Sequence, residues 1–128
     1  MKRLLIYSAI ILSAFAFCSC GDDDENLYYV KYTFSANTIH YNVEKTIKCS
    51  TPEGEKTIDC RDKAWEETYG PVSKSFKPRM ECIMDKSEVG YGRPMYAKIY
   101  VSRNNEPFVL KAEGTDVSEI KLSCKIDF

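Results

Sequence analysis

Apolar residues recur at every second position through most of the chain, and this spacing limits the possible folds more than any other feature of the sequence. Successive side chains of a strand point to opposite faces, so a period of two marks a strand with one buried side. The last run is the clearest: Ile120, Leu122, Cys124, Ile126 and Phe128 share one parity, with Lys121, Ser123, Lys125 and Asp127 between them. Tyr28, Val30, Tyr32 and Phe34 alternate in the same way with Tyr29, Lys31 and Thr33. Further sets of one parity are Ile39, Tyr41, Val43, Ile47 and Cys49; Phe76, Met80, Cys82 and Met84; Ala97, Ile99 and Val101; and Phe108, Leu110 and Ala112. Strands with one wet face belong to antiparallel sheets, and no window reads as an amphipathic helix.

Turn residues separate these runs at Ser35-Ala36-Asn37, Pro52-Glu53-Gly54, Tyr69-Gly70-Pro71, Gly90-Tyr91-Gly92-Arg93-Pro94, Arg103-Asn104-Asn105-Glu106-Pro107 and Glu113-Gly114-Thr115-Asp116. Six to eight short strands in about 100 residues most often pack as two sheets. The spacing therefore predicts an all-β domain, an immunoglobulin-like antiparallel β-sandwich of about seven strands over residues 27–128. A small β-barrel is the alternative.

The start of the chain has a different character. Met1-Lys2-Arg3 is a positive cap, and residues 4–17 form an apolar run too short to span ~30 Å of hydrocarbon comfortably, as in a signal peptide. Phe17-Cys18-Ser19-Cys20 resembles a lipobox, with small Ser19 before the cysteine that would be cleaved and acylated. Cys18 is the poorer candidate because bulky Phe17 precedes it. The resulting division is a signal peptide at 1–19, a lipidated acidic tether at 20–26 and the folded domain beyond. Lipid chains bury ~0.8 kcal/mol per methylene, so an acylated Cys20 would anchor the chain to a membrane.

Asp22, Asp23, Asp24 and Glu25 form a solvated spacer of like charges that cannot enter a core. No glycine turn or distal glutamate completes a calcium loop around them. Lys2 and Arg3 leave with the signal, so the mature chain keeps 16 of 18 basic residues against all 19 acidic ones, a net charge of -3. With four of those acids in the tether, the folded part is near +1. This balance gives no electrostatic case for nucleic acid, which needs clustered Lys and Arg.

Four cysteines remain after Cys18 and Cys20: Cys49, Cys60, Cys82 and Cys124. An even number in an exported chain favours two disulfides, and no Cys-x-x-Cys pair or nearby histidine gives zinc spacing. All four fall on core parity. Cys49 and Cys60 flank the Pro52-Glu53-Gly54 turn, leaving Cys82 and Cys124 for a long-range bridge worth ~4 kcal/mol in the chain-entropy treatment. Four buried thiols acting as small hydrophobes are the other reading.

Little in the chain points to catalysis. His40, the only histidine, falls on the outward parity of its strand with no nucleophile at a useful spacing, and Glu66 and Glu67 would point oppositely. No phosphate loop, metal-ligand cluster or cofactor motif is present in the sequence. The residues therefore read as a non-enzymatic chain without a cofactor. Tyr29, Tyr96 and Tyr100 have outward parity, while Trp65, Tyr69 and Tyr91 sit in or beside connections. Such rings can stack on sugars or anchor a protein partner, although Trp65 also fits a core plug and outward tyrosines are ordinary strand formers.

The run Gly21-Asp22-Asp23-Asp24-Glu25 resembles the acidic export signal of Bacteroidota surface lipoproteins, which implies the outer face of the outer membrane. Thr38-Ile39-His40-Tyr41, Ala64-Trp65, Gly70-Pro71-Val72-Ser73-Lys74-Ser75-Phe76 and Ile126-Asp127-Phe128 resemble small Bacteroidota lipoproteins of unassigned function. More remotely they resemble the mycobacterial membrane protein small family, whose exported β-sandwich assists a lipid transporter. That family carries a membrane helix where this chain has a lipobox. The resemblances imply a surface lipoprotein that contacts a protein or glycan, with an envelope transport accessory as the alternative.

Overall fold

The computed structural model describes residues 25–36, 44–84 and 94–128. Among them are eight strands and no helix: β1 (Tyr28–Ala36), β2 (Lys45–Thr51), β3 (Gly54–Cys60), β4 (Ala64–Val72), β5 (Arg79–Met84), β6 (Met95–Arg103), β7 (Val109–Asp116) and β8 (Glu119–Ser123). They form two four-stranded antiparallel sheets, β4-β1-β6-β7 (sheet A) and β3-β2-β5-β8 (sheet B), packed face to face as a β-sandwich. Neither sheet closes into the alternative barrel. The strand order differs from a constant-type immunoglobulin domain, where the first strand lies beside the second; here β1 lies between β4 and β6.

The inward sides of both sheets make one core. Val30, Tyr32 and Phe34 of β1 face Val101, Ile99 and Ala97 of β6 in register and, with Tyr28, share one core with Ile47, Cys49, Met80, Cys82 and Met84 of sheet B. The Tyr32 hydroxyl crosses the layer and donates to the Ser50 carbonyl at 2.7 Å, so burying this ring leaves no polar atom unpaired. Lys45 also lies on the core side, fully buried between Cys60 and Met84 in register, where alternation alone would place an apolar residue.

Two bulges interrupt the alternation, and each changes a sequence expectation. On β4, Tyr28 pairs with Val72 but Val30 with Tyr69, so one extra residue is accommodated at Gly70-Pro71, a cis peptide within the strand. Tyr69-Gly70-Pro71 is therefore strand and not a turn, and the parity shift turns Val72 inward. On β7, Ile99 faces Ala112 while Tyr100 faces Leu110, leaving Lys111 as the extra residue. Phe108 and Leu110 consequently lie on the outer side, although their parity matches core-packed Ala112.

The expected turn at Glu113-Gly114-Thr115-Asp116 is also strand. The chain instead reverses at Val117-Ser118, where the Asp116 carboxylate accepts the Glu119 amide at 3.2 Å. Two other turns are as expected. Pro52-Glu53 closes the β2–β3 hairpin, and Asn104-Asn105, both at positive φ, closes β6–β7.

Candidate functional site

The outer faces of the two sheets differ in chemistry. Sheet B is mixed and polar, with Lys48, Glu81 and Lys121 in one cross-strand row. Sheet A carries aromatic rings and lysines. Its far half, away from the start of β1, holds an open groove of about 510 Å³ lined by Thr33 and Ser35 of β1, Trp65 and Glu66 of β4, and Tyr96, Lys98 and Tyr100 of β6. Strand pairing builds it: Thr33 lies between Glu66 and Lys98, and Ser35 between Ala64 and Tyr96. The groove thus combines ring faces, two hydroxyls and a cation facing an anion, a set that both stacks on and hydrogen-bonds to a flat polar ligand.

Nearer the start of β1, the Lys31 ammonium lies 4.8 Å from the Tyr100 ring centroid and 4.6 Å from that of Phe108. Contacts of this kind contribute ~0.5–1 kcal/mol at exposed positions and fix the orientation of both rings. Tyr29 lies on the same face, opposite Ser102. Two of the six candidate aromatics, Tyr96 and Tyr100, therefore meet on the outer face in one groove, with Tyr29 on the same face of the sheet. Trp65, opposite inward-facing Phe34, packs against the core from the β4 edge, which fits the core-plug reading made from the sequence.

Tyr69 has a different place. It packs on the core side at the β3–β4 edge, its ring 6.1 Å from that of Tyr32, and its hydroxyl donates to the Glu67 carboxylate. That bond, helped by Lys56 at 3.1 Å, holds the Glu67 carboxyl below the usual carboxylate range, and burial pushes the Tyr69 phenol up. The cluster joins the two sheets at an edge and lies apart from the groove residues. Glu66 and Glu67 do point to opposite sides.

Neither disulfide expected from the sequence is formed; all four thiols are free. Register explains the hairpin pair: Cys49 faces Lys56 and Cys60 faces Lys45, which puts the two about 13 Å apart along the strands. Cys82 faces Ile120, and Cys124 lies four residues further on, beyond the end of β8. Such separations exceed what a bridge allows without backbone movement.

The thiols act as small core hydrophobes. Burial pushes the Cys82 thiol up to about 12 and raises those of Cys49 and Cys124. Thiolate is the reactive form, so it is scarce at these three sites near neutral pH. Alkylation of the native protein without reductant is expected to modify Cys124, the least buried, well before Cys82, with all four modified after unfolding. Peptide mapping checks this, and a Cys82–Cys124 peptide would contradict it.

Cys20, Asp22, Asp23, Asp24, His40 and Tyr91 lie outside the described residues; Glu25 is exposed. Sequence reasoning missed Phe108 and Lys31 as parts of the aromatic face, and the Lys111 bulge that turns Phe108 outward has no signal in local alternation. No known protein family and no curated protein matches the chain.

Proposed function

We propose that the chain is a non-enzymatic lipoprotein of the outer-membrane surface, acylated at Cys20, whose sandwich binds a glycan or protein through the groove on sheet A. One observation carries the binding part: the Tyr96 and Tyr100 rings meet Thr33, Glu66 and Lys98 on one sheet face, with Trp65 bordering the groove at the β4 edge. Tyr96 is among the most exposed large apolar side chains of the described residues. Rings presented in an open groove suit an extended ligand with flat C–H faces and many hydroxyls, which favours a glycan over a compact metabolite. The address part is supported by Lys2-Arg3, the apolar run, Ser19-Cys20 and the acidic residues that follow.

The binding test is an oligosaccharide array followed by titration of any hit with the parent protein and with Tyr96→Ala. A centrally placed aromatic contact typically costs more than 1 kcal/mol when truncated, so affinity is expected to fall about tenfold or more. Equal binding by Tyr96→Ala would remove the groove from consideration. The second reading, a periplasm-facing accessory of a transport system, is favoured by the sandwich architecture that its resemblance implies. Protease shaving of intact cells separates the two, because only the surface lipoprotein is cleaved. Mass spectrometry of the native Cys20 peptide tests acylation directly.

A further inference from the structure

We infer that the end of the sandwich where β1 begins is a bilayer-contacting surface that seats the domain on phospholipid headgroups. The inference builds on the acylation of Cys20 proposed above, and its first support is the distribution of exposed apolar side chains. Leu27, Phe108, Val109, Leu110 and Phe128 are each at least 36 % exposed. All five lie at or next to this end, and Tyr96 is the only other large exposed hydrophobic among the described residues.

Strand pairing gathers them. Leu27 is held beside the β6–β7 turn, its amide donating to the Asn104 side chain at 2.8 Å and its carbonyl accepting the Asn104 amide at 2.7 Å. Phe108 and Val109 follow that turn directly. Phe128 stacks on Tyr28 with centroids 5.9 Å apart, which brings the final residues back to the same end.

Cations stand among these rings. Lys111 lies 4.2 Å and Arg103 5.1 Å from the Phe128 centroid, and Lys31 lies over Phe108. Apolar side chains flanked by Lys and Arg are what an interfacial surface needs: the former enter the headgroup boundary and the latter meet phosphates.

The distance from the lipid identifies the occupant. Only six residues, Gly21 to Asn26, separate Cys20 from Leu27, a reach of about 24 Å when extended and roughly 15 Å as a flexible coil. A tether this short holds the end at millimolar effective concentration over the bilayer, which adds to the affinity that the end has by itself. The groove with Tyr96 then lies on the part of sheet A farther from the membrane, open to a ligand.

The test uses the chain from residue 20 onward, which contains every strand, with Cys20→Ser to remove the acyl site. It is floated with phosphatidylglycerol–phosphatidylethanolamine vesicles, beside the same chain carrying Leu27→Asp, Phe108→Asp and Phe128→Asp. The expected result is flotation of the parent that weakens with salt, and a loss of roughly tenfold or more in the triple variant. Melting of both is recorded, and Leu27→Asp alone, at a half-exposed position, is floated beside them and should also lose binding, which separates lost binding from lost stability in the triple variant. Tyr96→Ala should float as the parent. A parent that does not float, or a triple variant that floats equally, overturns the inference. An unacylated Cys20 peptide from native material would instead overturn the lipoprotein reading and leave the flotation result standing.

Discussion

Phe34→Ala is expected to lower the stability of the domain by about 3–5 kcal/mol, the range for removing a fully buried phenylalanine. Phe34 sits on β1, one of the two strands with partners on both sides in sheet A, and its neighbours in register are Trp65 and Ala97. Ala97 is too small to fill the space the ring would leave, and Trp65 is held at the β4 edge, so the cavity would close poorly. A domain of this size has about 5–15 kcal/mol in total, so the variant should melt roughly 12–20 °C lower. Phe108→Ala removes the same ring from the outer face together with its Lys31 contact and should change stability by only about 1 kcal/mol. Denaturant unfolding of the two variants measures the contrast, and equal losses would contradict the placement of either ring.

Gly70→Ala should cost about 2–6 kcal/mol for two separable reasons. Gly70 has φ of +150°, which a residue with a Cβ rarely adopts, and strain of that kind costs ~1–3 kcal/mol. An added Cβ would also lie 2.5 Å from Tyr29 Cδ1, 2.9 Å from the Tyr28 carbonyl oxygen and 3.1 Å from Tyr29 Cα. The tyrosine ring can swing away, but the backbone atoms belong to the β1–β4 ladder, so overpacking adds ~1–3 kcal/mol. Gly54→Ala separates the two effects, because Gly54 has φ of +117° and nothing within 4 Å of the new atom. It should show only the conformational part. If the two variants lose the same amount by thermal unfolding, the close approach of β4 to β1 contributes nothing.

Much of the fold was legible because alternation is local. The inward residues of β1, β5 and β6 were readable one by one, from Tyr28, Val30, Tyr32 and Phe34 to Met80, Cys82 and Met84 and to Ala97, Ile99 and Val101, and all are buried. The reading failed wherever parity slipped. The extra residue at Lys111 leaves Phe108 and Leu110 outside, the one at Gly70-Pro71 turns an apparent turn into strand, and Phe128 stays exposed against Tyr28 although Ile126 before it is buried. A bulge is fixed by the partner strand, which a window of sequence does not contain.

The same limit explains the thiols and the site. Cysteine parity was readable for Cys49 and Cys82, but bridging requires register as well, and register put both expected pairs out of reach. Outward parity identified Tyr29, Tyr96 and Tyr100 correctly. The grouping of Tyr96 and Tyr100 with Thr33 and Glu66 depends on β1 lying between β4 and β6, a long-range arrangement with no local signature.

That placement of β1 also sets a timetable for synthesis. The first strand to leave the ribosome has no neighbour in sheet A until β4 follows, and its other flank stays open until β6, with Tyr28 aligned to Arg103. Loops this long must close before any pairing rewards them, so sheet A assembles slowly and only once most of the polypeptide has emerged. Sheet A of the nascent chain is therefore expected to stay unformed through most of its production, while the β2–β3 hairpin of sheet B needs only its own short turn.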